Sequence, residues 1–120
     1  MTYAISQVAE KYSLEPYTLR YYEKEGILSP DKSERGERRY TDGDLEQLEM
    51  VLCLKSTGMS LKEIKRYFDL CADGDATAGE RLQIFISQRS HILEEMDNLQ
   101  NNLAKIEHKI RWYREKYGLK

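Results

Sequence analysis

The chain has 120 residues, 40% hydrophobic and 33% charged, with a formal net charge of −2. That length suggests one domain plus an extension, and the near-neutral balance argues against a generic polybasic nucleic-acid binder. No apolar run approaches the roughly 20 residues of a membrane span, and no N-terminal secretory signal is visible. Two cysteines, Cys53 and Cys71, make no disulfide framework and read as free thiols in a reducing cytoplasm.

Taken from the N-terminus, Ile5, Val8, Ala9 and Tyr12 fall at i, i+3, i+4 and i+7. That is the apolar face of a short helix, with Ser6 as its expected cap. Ser13-Leu14-Glu15 then makes a tight turn, and Pro16 stands where a first helical residue tolerates a missing N–H. The helix that follows carries the most informative face of the chain. Tyr17, Arg20, Tyr21 and Lys24 share one side, while Leu19 and Tyr22 point inward. Two aromatic hydroxyls and two cations, with no acid among them, suit a phosphate backbone and the base edges beside it. Two short helices joined by a tight turn predict a helix-turn-helix with the second helix as reader. Thr18, beside that face, is either a phosphate contact or a local helix stabiliser.

Gly26 ends this helix. Ile27-Leu28-Ser29 and Arg39-Tyr40-Thr41 are expected as two short strands, with residues 30–38 as the loop between them. This hairpin reads as a wing that sets Lys32, Arg35, Arg38 and Arg39 against the flanking groove or phosphates. The ring of Tyr40 belongs to the core on this reading, with its hydroxyl directed at a phosphate. Residues 1–40 carry seven Lys/Arg and seven Asp/Glu. The cations therefore act by placement rather than by excess, and binding is expected to fall steeply with salt.

Thr41 and Asp44 have the spacing of a capping box, as do Ser60 and Glu63. They predict helices starting near Asp42 and Leu61, the first ending at Thr57-Gly58. In that first helix Leu45, Leu48, Val51 and Leu52 form one stripe. Met50, Cys53 and Leu54 are apolar on other faces, so burial from more than one side is expected. In the second, Leu61, Ile64, Phe68 and Cys71 share a stripe. Residues 73–79 break the pattern and read as a linker between a DNA-binding unit over 1–72 and a dimerisation helix over 80–120.

In that last helix Ile92, Met96, Leu99, Leu103, Ile106, Ile110, Tyr113 and Tyr117 follow an unbroken heptad a/d spacing. The seam is roughly 40 Å long. It buries nothing by itself and needs another helix, most simply that of a second subunit in a twofold homodimer. Arg89 interrupts the seam one step earlier, so the coil is expected to begin after it. His91 and His108 fall on the outer side. No catalytic constellation stands out: there is no phosphate-cradling Gly loop, no metal-binding His/Glu motif and no nucleophile elbow.

The run Thr18-Leu19-Arg20-Tyr21-Tyr22-Glu23 followed by Gly26-Ile27-Leu28-Ser29-Pro30 resembles the signature of the MerR family of transcription regulators. Gly36, Arg38 and Tyr40 match that family's wing, Thr41 to Leu48 its next helix start, and Gly58-Met59-Ser60-Leu61-Lys62-Glu63-Ile64 its next turn. Two positions depart from the pattern: Ser13 where a turn glycine is common, and Glu37 where an aromatic is common.

The resemblance implies a mainly α fold, a winged helix-turn-helix followed by a long dimerisation helix paired antiparallel. It implies a non-enzymatic, cofactor-free bacterial regulator that binds double-stranded promoter DNA as a homodimer and distorts an over-long spacer for RNA polymerase. The chain ends three residues beyond Tyr117, so the short architecture without a C-terminal ligand-binding domain is expected. Metal-sensing relatives place cysteines along the dimer helix, and none lies beyond Cys71 here, so no metal site is expected.

Cys53 has two readings, a small buried hydrophobe or a thiolate that reacts with an electrophile. Similarity to members with a lone cysteine at this position and a Gly-Asp-x-Thr linker, as in Gly74-Asp75-Ala76-Thr77, implies aldehydes or other thiol-reactive effectors. Lys55 and Lys62 lie near it in sequence. Cys71 reads as structural. Two rival functions remain: an architectural or excision-type DNA-bending protein, and a protein-interaction module whose basic wing meets an acidic partner.

Overall fold

A computed structural model describes all of residues 1–120. The chain runs β1 (Thr2–Tyr3), α1 (Ile5–Lys11), α2 (Pro16–Lys24), β2 (Asp31–Lys32), β3 (Arg38–Thr41), α3 (Asp42–Ser56), α4 (Leu61–Ala72), a 3-10 turn (Gly74–Thr77) and α5 (Ala78–Tyr117). It divides into two compact units, Met1–Arg81 and Leu82–Lys120. The architecture is the mainly helical winged helix-turn-helix with a long final helix that the sequence predicts.

The first unit is built around Val8, Leu19, Tyr22, Ile27, Leu28, Tyr40, Leu48, Val51 and Ile64, all almost fully buried. These come from α1, α2, the segment after α2, β3, α3 and α4, so one core joins both helical pairs to the sheet. In α3 the buried stripe is Leu45, Leu48, Val51 and Leu54; Leu54 takes the place expected for Leu52. Met50 and Cys53 lie on the exposed side of that helix.

Helix starts follow local chemistry. Thr41 Oγ1 accepts from the Asp44 N–H and Asp44 returns the bond to the Thr41 N–H, a complete capping box. Ser60 Oγ accepts from the Glu63 N–H. At α1 the expected cap moves. Ser6 lies inside the helix, Ala4 precedes it, and the Gln7 amide oxygen accepts the Ala4 N–H at 2.8 Å. Ser13, in the turn before α2, sits at φ 55°, a left-handed conformation that costs a residue with a Cβ about 1–2 kcal/mol.

The wing is shorter than the sequence suggests. β2 is Asp31–Lys32, paired antiparallel with β3, and a tight turn closes through Ser33 N–H to the Glu37 carbonyl, with Gly36 at φ +80°. Ile27 and Leu28 are not a strand. Both N–H groups bond back to the Tyr22 carbonyl beyond Gly26, and both side chains are buried. Adjacent strand residues point to opposite faces, so an edge hairpin could not bury both. The third strand, β1, pairs with β3 on its other side, Tyr3 opposite Tyr40, giving the order β1-β3-β2.

The stretch read as a linker is ordered as the 3-10 turn. Thr77 is buried, and its hydroxyl donates to the Leu70 carbonyl at 2.6 Å and accepts from Arg81 Nε. Arg81 also donates to the Gly74 carbonyl. In the second unit the chain is continuous helix to Tyr117. Its seam residues Met96, Leu99, Leu103, Ile106, Ile110, Tyr113 and Tyr117 are 44–67% exposed in the single chain.

Candidate nucleic-acid interface

α2 presents its two faces as predicted by periodicity. Leu19 and Tyr22 are buried, while Tyr17, Arg20, Tyr21 and Lys24 are exposed on the other side, with Tyr17 69% accessible. None of these four is tied into an ion pair, so their hydroxyls and cations are available. Thr18 is half-buried at the edge of the same face, its N–H bonded to the Glu15 carbonyl.

A groove of about 440 Å³ runs along this face, lined by Tyr17, Thr18, Arg20, Tyr21, Tyr22 and Lys24 together with Lys55 and Leu61. The Lys55 ammonium lies 5.8 Å from the centre of the Tyr22 ring. A neighbouring depression is lined by Tyr21, Glu25, Leu61, Lys62 and Lys65. The end of α3 and the start of α4 therefore bring Lys55 and Lys62 beside the exposed face of α2. Sequence reasoning placed these lysines near Cys53; the fold turns Lys55 toward α2. The available signal was their position on either side of Gly58, the turn joining two helices of the same unit.

The wing residues separate into two groups. Lys32 and Arg35 are exposed at the hairpin, and Arg39 pairs loosely with Glu37 at 3.3 Å. A shallow pocket at the hairpin is lined by Ser33, Glu34, Arg35, Glu37 and Arg39. Arg38 and Tyr40 instead face α2. Arg38 Nε and the Tyr40 hydroxyl both donate to the Glu23 carboxylate, one to each oxygen. Tyr40 is fully buried. Its ring is core, as expected, but its single O–H proton is committed to Glu23 and cannot also be donated to a phosphate. Burial, reinforced by the bond to Glu23, holds the Tyr40 phenol well above its ordinary range. Sequence reasoning missed Glu23 because its partners lie fifteen and seventeen residues away.

Cys53 is exposed on α3, and Cys71 is half-buried beside Tyr67. No group of three or more His, Cys, Asp or Glu side chains is disposed to hold a metal ion. No helix is long and apolar enough to cross a membrane.

A tyrosine- and arginine-bearing second helix, a hairpin wing locked to it, and a separate seam-bearing helix define a winged helix-turn-helix regulator. The profile of the MerR HTH family regulatory protein matches residues 3–71, and that of the MerR DNA-binding region matches residues 45–109. The chain is 42% identical over 120 residues to an uncharacterised HTH-type transcriptional regulator of Haemophilus influenzae, covering 99% of this chain and 89% of the relative. It is 34% identical over 91 residues to the regulator AdhR of Bacillus subtilis, covering 75% of this chain and 65% of AdhR. Among solved structures, HiNmlR, a MerR family regulator lacking the sensor domain and bound to promoter DNA, superposes with a TM-score of 0.84. It is 42% identical, with 99% of this chain and 95% of that one covered. A MerR family regulator from Bacillus thuringiensis gives a TM-score of 0.78 at 38% identity, covering 94% of this chain and all of that one. The chain belongs to the MerR family of helix-turn-helix transcription regulators.

Proposed function

We propose that this regulator acts in the cytoplasm as a homodimer on a pseudopalindromic promoter site. Each subunit sets Tyr17, Arg20, Tyr21 and Lys24 of α2 into a major groove, with Thr18 at the edge. Arg35 and Arg39 of the wing, with Lys32, grip flanking phosphates. Lys55 and Lys62 join that backbone grip, while Arg38 and Tyr40 act through Glu23 by fixing the wing on α2. The observation that carries this reading is the exposed face of α2, unpaired by any acid, with further cations from the wing on one side and from α3 and α4 on the other. The seam of half-buried Ile92 and exposed Met96, Leu99, Leu103, Ile106, Ile110 and Tyr113 supports the homodimer.

Phosphate contacts from both arms supply the several kcal/mol needed to bend and untwist a promoter spacer, so that RNA polymerase engages both promoter elements. Binding of the purified protein to its own upstream DNA, followed by transcription in vitro with RNA polymerase, tests this. Binding with altered transcription is expected. Binding and bending with transcription unaltered would instead favour a purely architectural protein.

A finer reading assigns Cys53 as the effector site. Its exposure favours reaction over simple packing within the winged unit. The sulfur would add to the carbonyl carbon of an aldehyde, the C=O π pair moving to oxygen, which takes up a proton through solvent in exchange for that lost by the thiol, giving a hemithioacetal. Cys53→Ser is expected to abolish the transcriptional response to aldehydes while leaving operator binding intact. A response identical to that of the parent protein would remove Cys53 from the mechanism.

A further inference from the structure

The wing carries its own counter-charges. Asp31-Lys32, Glu34-Arg35 and Glu37-Arg38 recur at intervals of three, each an acid followed by a cation, and Arg39 closes the run. Arg38 is committed to Glu23 of α2. The charges left on the hairpin are Lys32, Arg35 and Arg39 against Asp31, Glu34 and Glu37, and they cancel. A hairpin without net charge gains little from the general field of a polyanion. What it contributes on DNA depends on which cations can leave their own acids.

The three cations differ in this respect. Lys32 and Arg35 are exposed and close no ion pair. Arg39 is bracketed. Its Nη2 lies 3.3 Å from the Glu37 carboxylate. Asp31 stands directly opposite it in the β2–β3 ladder, where paired residues share a face. Arg39 and Glu37 keep 41% and 60% of their side-chain exposure, so an incoming phosphate reaches both. The Glu37 backbone is held separately: its carbonyl accepts the Ser33 N–H at 2.7 Å, and its N–H donates to Ser33 Oγ at 3.2 Å. The shape of the turn therefore does not depend on the carboxylate.

We propose that Glu37 sets the DNA affinity of the wing: it occupies the Arg39 guanidinium in the free protein, and a phosphate must displace it before Arg39 grips the backbone. This deepens the DNA-binding reading above and rests on it. Carboxylate and phosphate oxygens are both anionic acceptors for the same N–H donors. Exchanging one for the other conserves the charge-assisted bond, so the gain on binding is the difference of two similar quantities. The released carboxylate then stands near the phosphates with a like charge. Both effects act on any duplex, because no base edge is involved. Glu37 thus lowers the affinity for operator and for random DNA alike, and base discrimination stays with α2. It also softens the salt dependence. An arginine that trades one anion for another, and frees a carboxylate that attracts its own cation, yields less net counterion release than an unpaired arginine.

Glu37→Gln removes the charge while keeping the side-chain shape and the backbone bonds of the turn. Fluorescence anisotropy on its upstream promoter DNA and on a scrambled duplex, at several salt concentrations, is expected to show affinity raised about two- to fivefold on both, the range of an exposed ion pair. The log–log salt slope should steepen by up to about one, which a change confined to hairpin shape would not produce. Two further variants separate the pair from gross charge. Glu34→Gln removes an equal charge from the same hollow, where Glu34 holds no cation, and should change affinity by less than about twofold. In an Arg39→Gln background, Glu37→Gln should lose most of its effect.

Unchanged or weaker binding by Glu37→Gln, an equal gain from Glu34→Gln, or a gain that persists in full without Arg39 would each overturn the proposal. The scrambled duplex reads the gain without any operator. A gain there from a protein that does not prefer its upstream DNA would reject the regulator's proposed site and leave the role of Glu37 standing. Tight operator binding with no gain would do the reverse.

Discussion

The Tyr40 hydroxyl, on the middle strand of the wing sheet, donates to the Glu23 carboxylate of α2 at 2.7 Å. Arg38, two residues earlier on the same strand, closes the same carboxylate from its other oxygen. One acid on the inner flank of α2 thus fixes the orientation of the wing. Arg38 and Glu23 retain only 27% and 15% side-chain exposure, so the pair is partly sheltered from water.

Glu23→Gln removes the counter-charge of Arg38 and one acceptor. A loss of about 2 kcal/mol is expected, or roughly 10 °C in Tm for a unit of this size, with Tyr40→Phe costing about half as much. Urea unfolding and calorimetry measure both. DNA affinity should fall in Glu23→Gln even at temperatures where the protein is folded, because the wing is no longer held on α2. Wild-type affinity with lowered stability would show that the wing finds its place without this bond.

Alkaline pH should weaken the fold in a defined window. The Tyr40 phenol is raised by burial and by Glu23, and the Tyr12 phenol is raised to about 12, first by burial and then by its bond to Glu49. Tyrosines in the unfolded chain ionise near pH 10. Below that value both states hold the proton and the contribution is fully present. Above it the unfolded chain binds fewer protons, so stability falls with rising pH through the folded values. Urea midpoints at pH 8, 10 and 11 should decline across the last interval, and Tyr40→Phe should lessen that decline. A slope unchanged by Tyr40→Phe would place the alkaline transition elsewhere.

Contacts to bases and phosphates should part company in salt titrations. Arg20→Ala is expected to cost about 1–3 kcal/mol of operator affinity and to relax sequence preference. Lys24→Ala, Lys55→Ala and Lys62→Ala should weaken binding evenly across sequences, each lowering the salt slope by about one. Fluorescence anisotropy on operator and scrambled duplexes, at several salt concentrations, separates these outcomes. An Arg20→Ala protein as tight as the parent would move the reading face off α2.

Ser13→Gly should stabilise the protein by about 1 kcal/mol. Serine at φ 55° bears a Cβ strain that glycine lacks, partly offset by the greater freedom of glycine in the unfolded chain. A rise of several degrees in Tm is the expected result, and a fall would show that the Ser13 side chain contributes something its surroundings do not reveal.

Periodicity made the faces of α1 and α2 legible, because burial on a helix repeats every three to four residues and Val8, Leu19 and Tyr22 obey that repeat. Capping chemistry placed the starts of α3 and α4 at Thr41 and Ser60, since those bonds span only three residues. Where the signal was short or ambiguous it misled. Thr2–Tyr3 is too brief to show alternation, and Ile27-Leu28 is an apolar pair that fits a strand or a buried turn equally well. Lys55 could not be assigned to the reading face, because nothing local records which way α3 ends relative to α2.

Taken alone, then, the order of residues determined the helices, the inward side of α2, and the family to which the chain belongs, since each depends on neighbours within a turn or two, whereas the buried stripe of α3 was shifted from Leu52 to Leu54 by packing. Tertiary structure alone decided how the polar groups are spent. Folding brings the Glu23 carboxylate to Arg38 Nε and the Tyr40 hydroxyl, and in a partly dry site such charge-assisted bonds are strong, which no local stretch of sequence records.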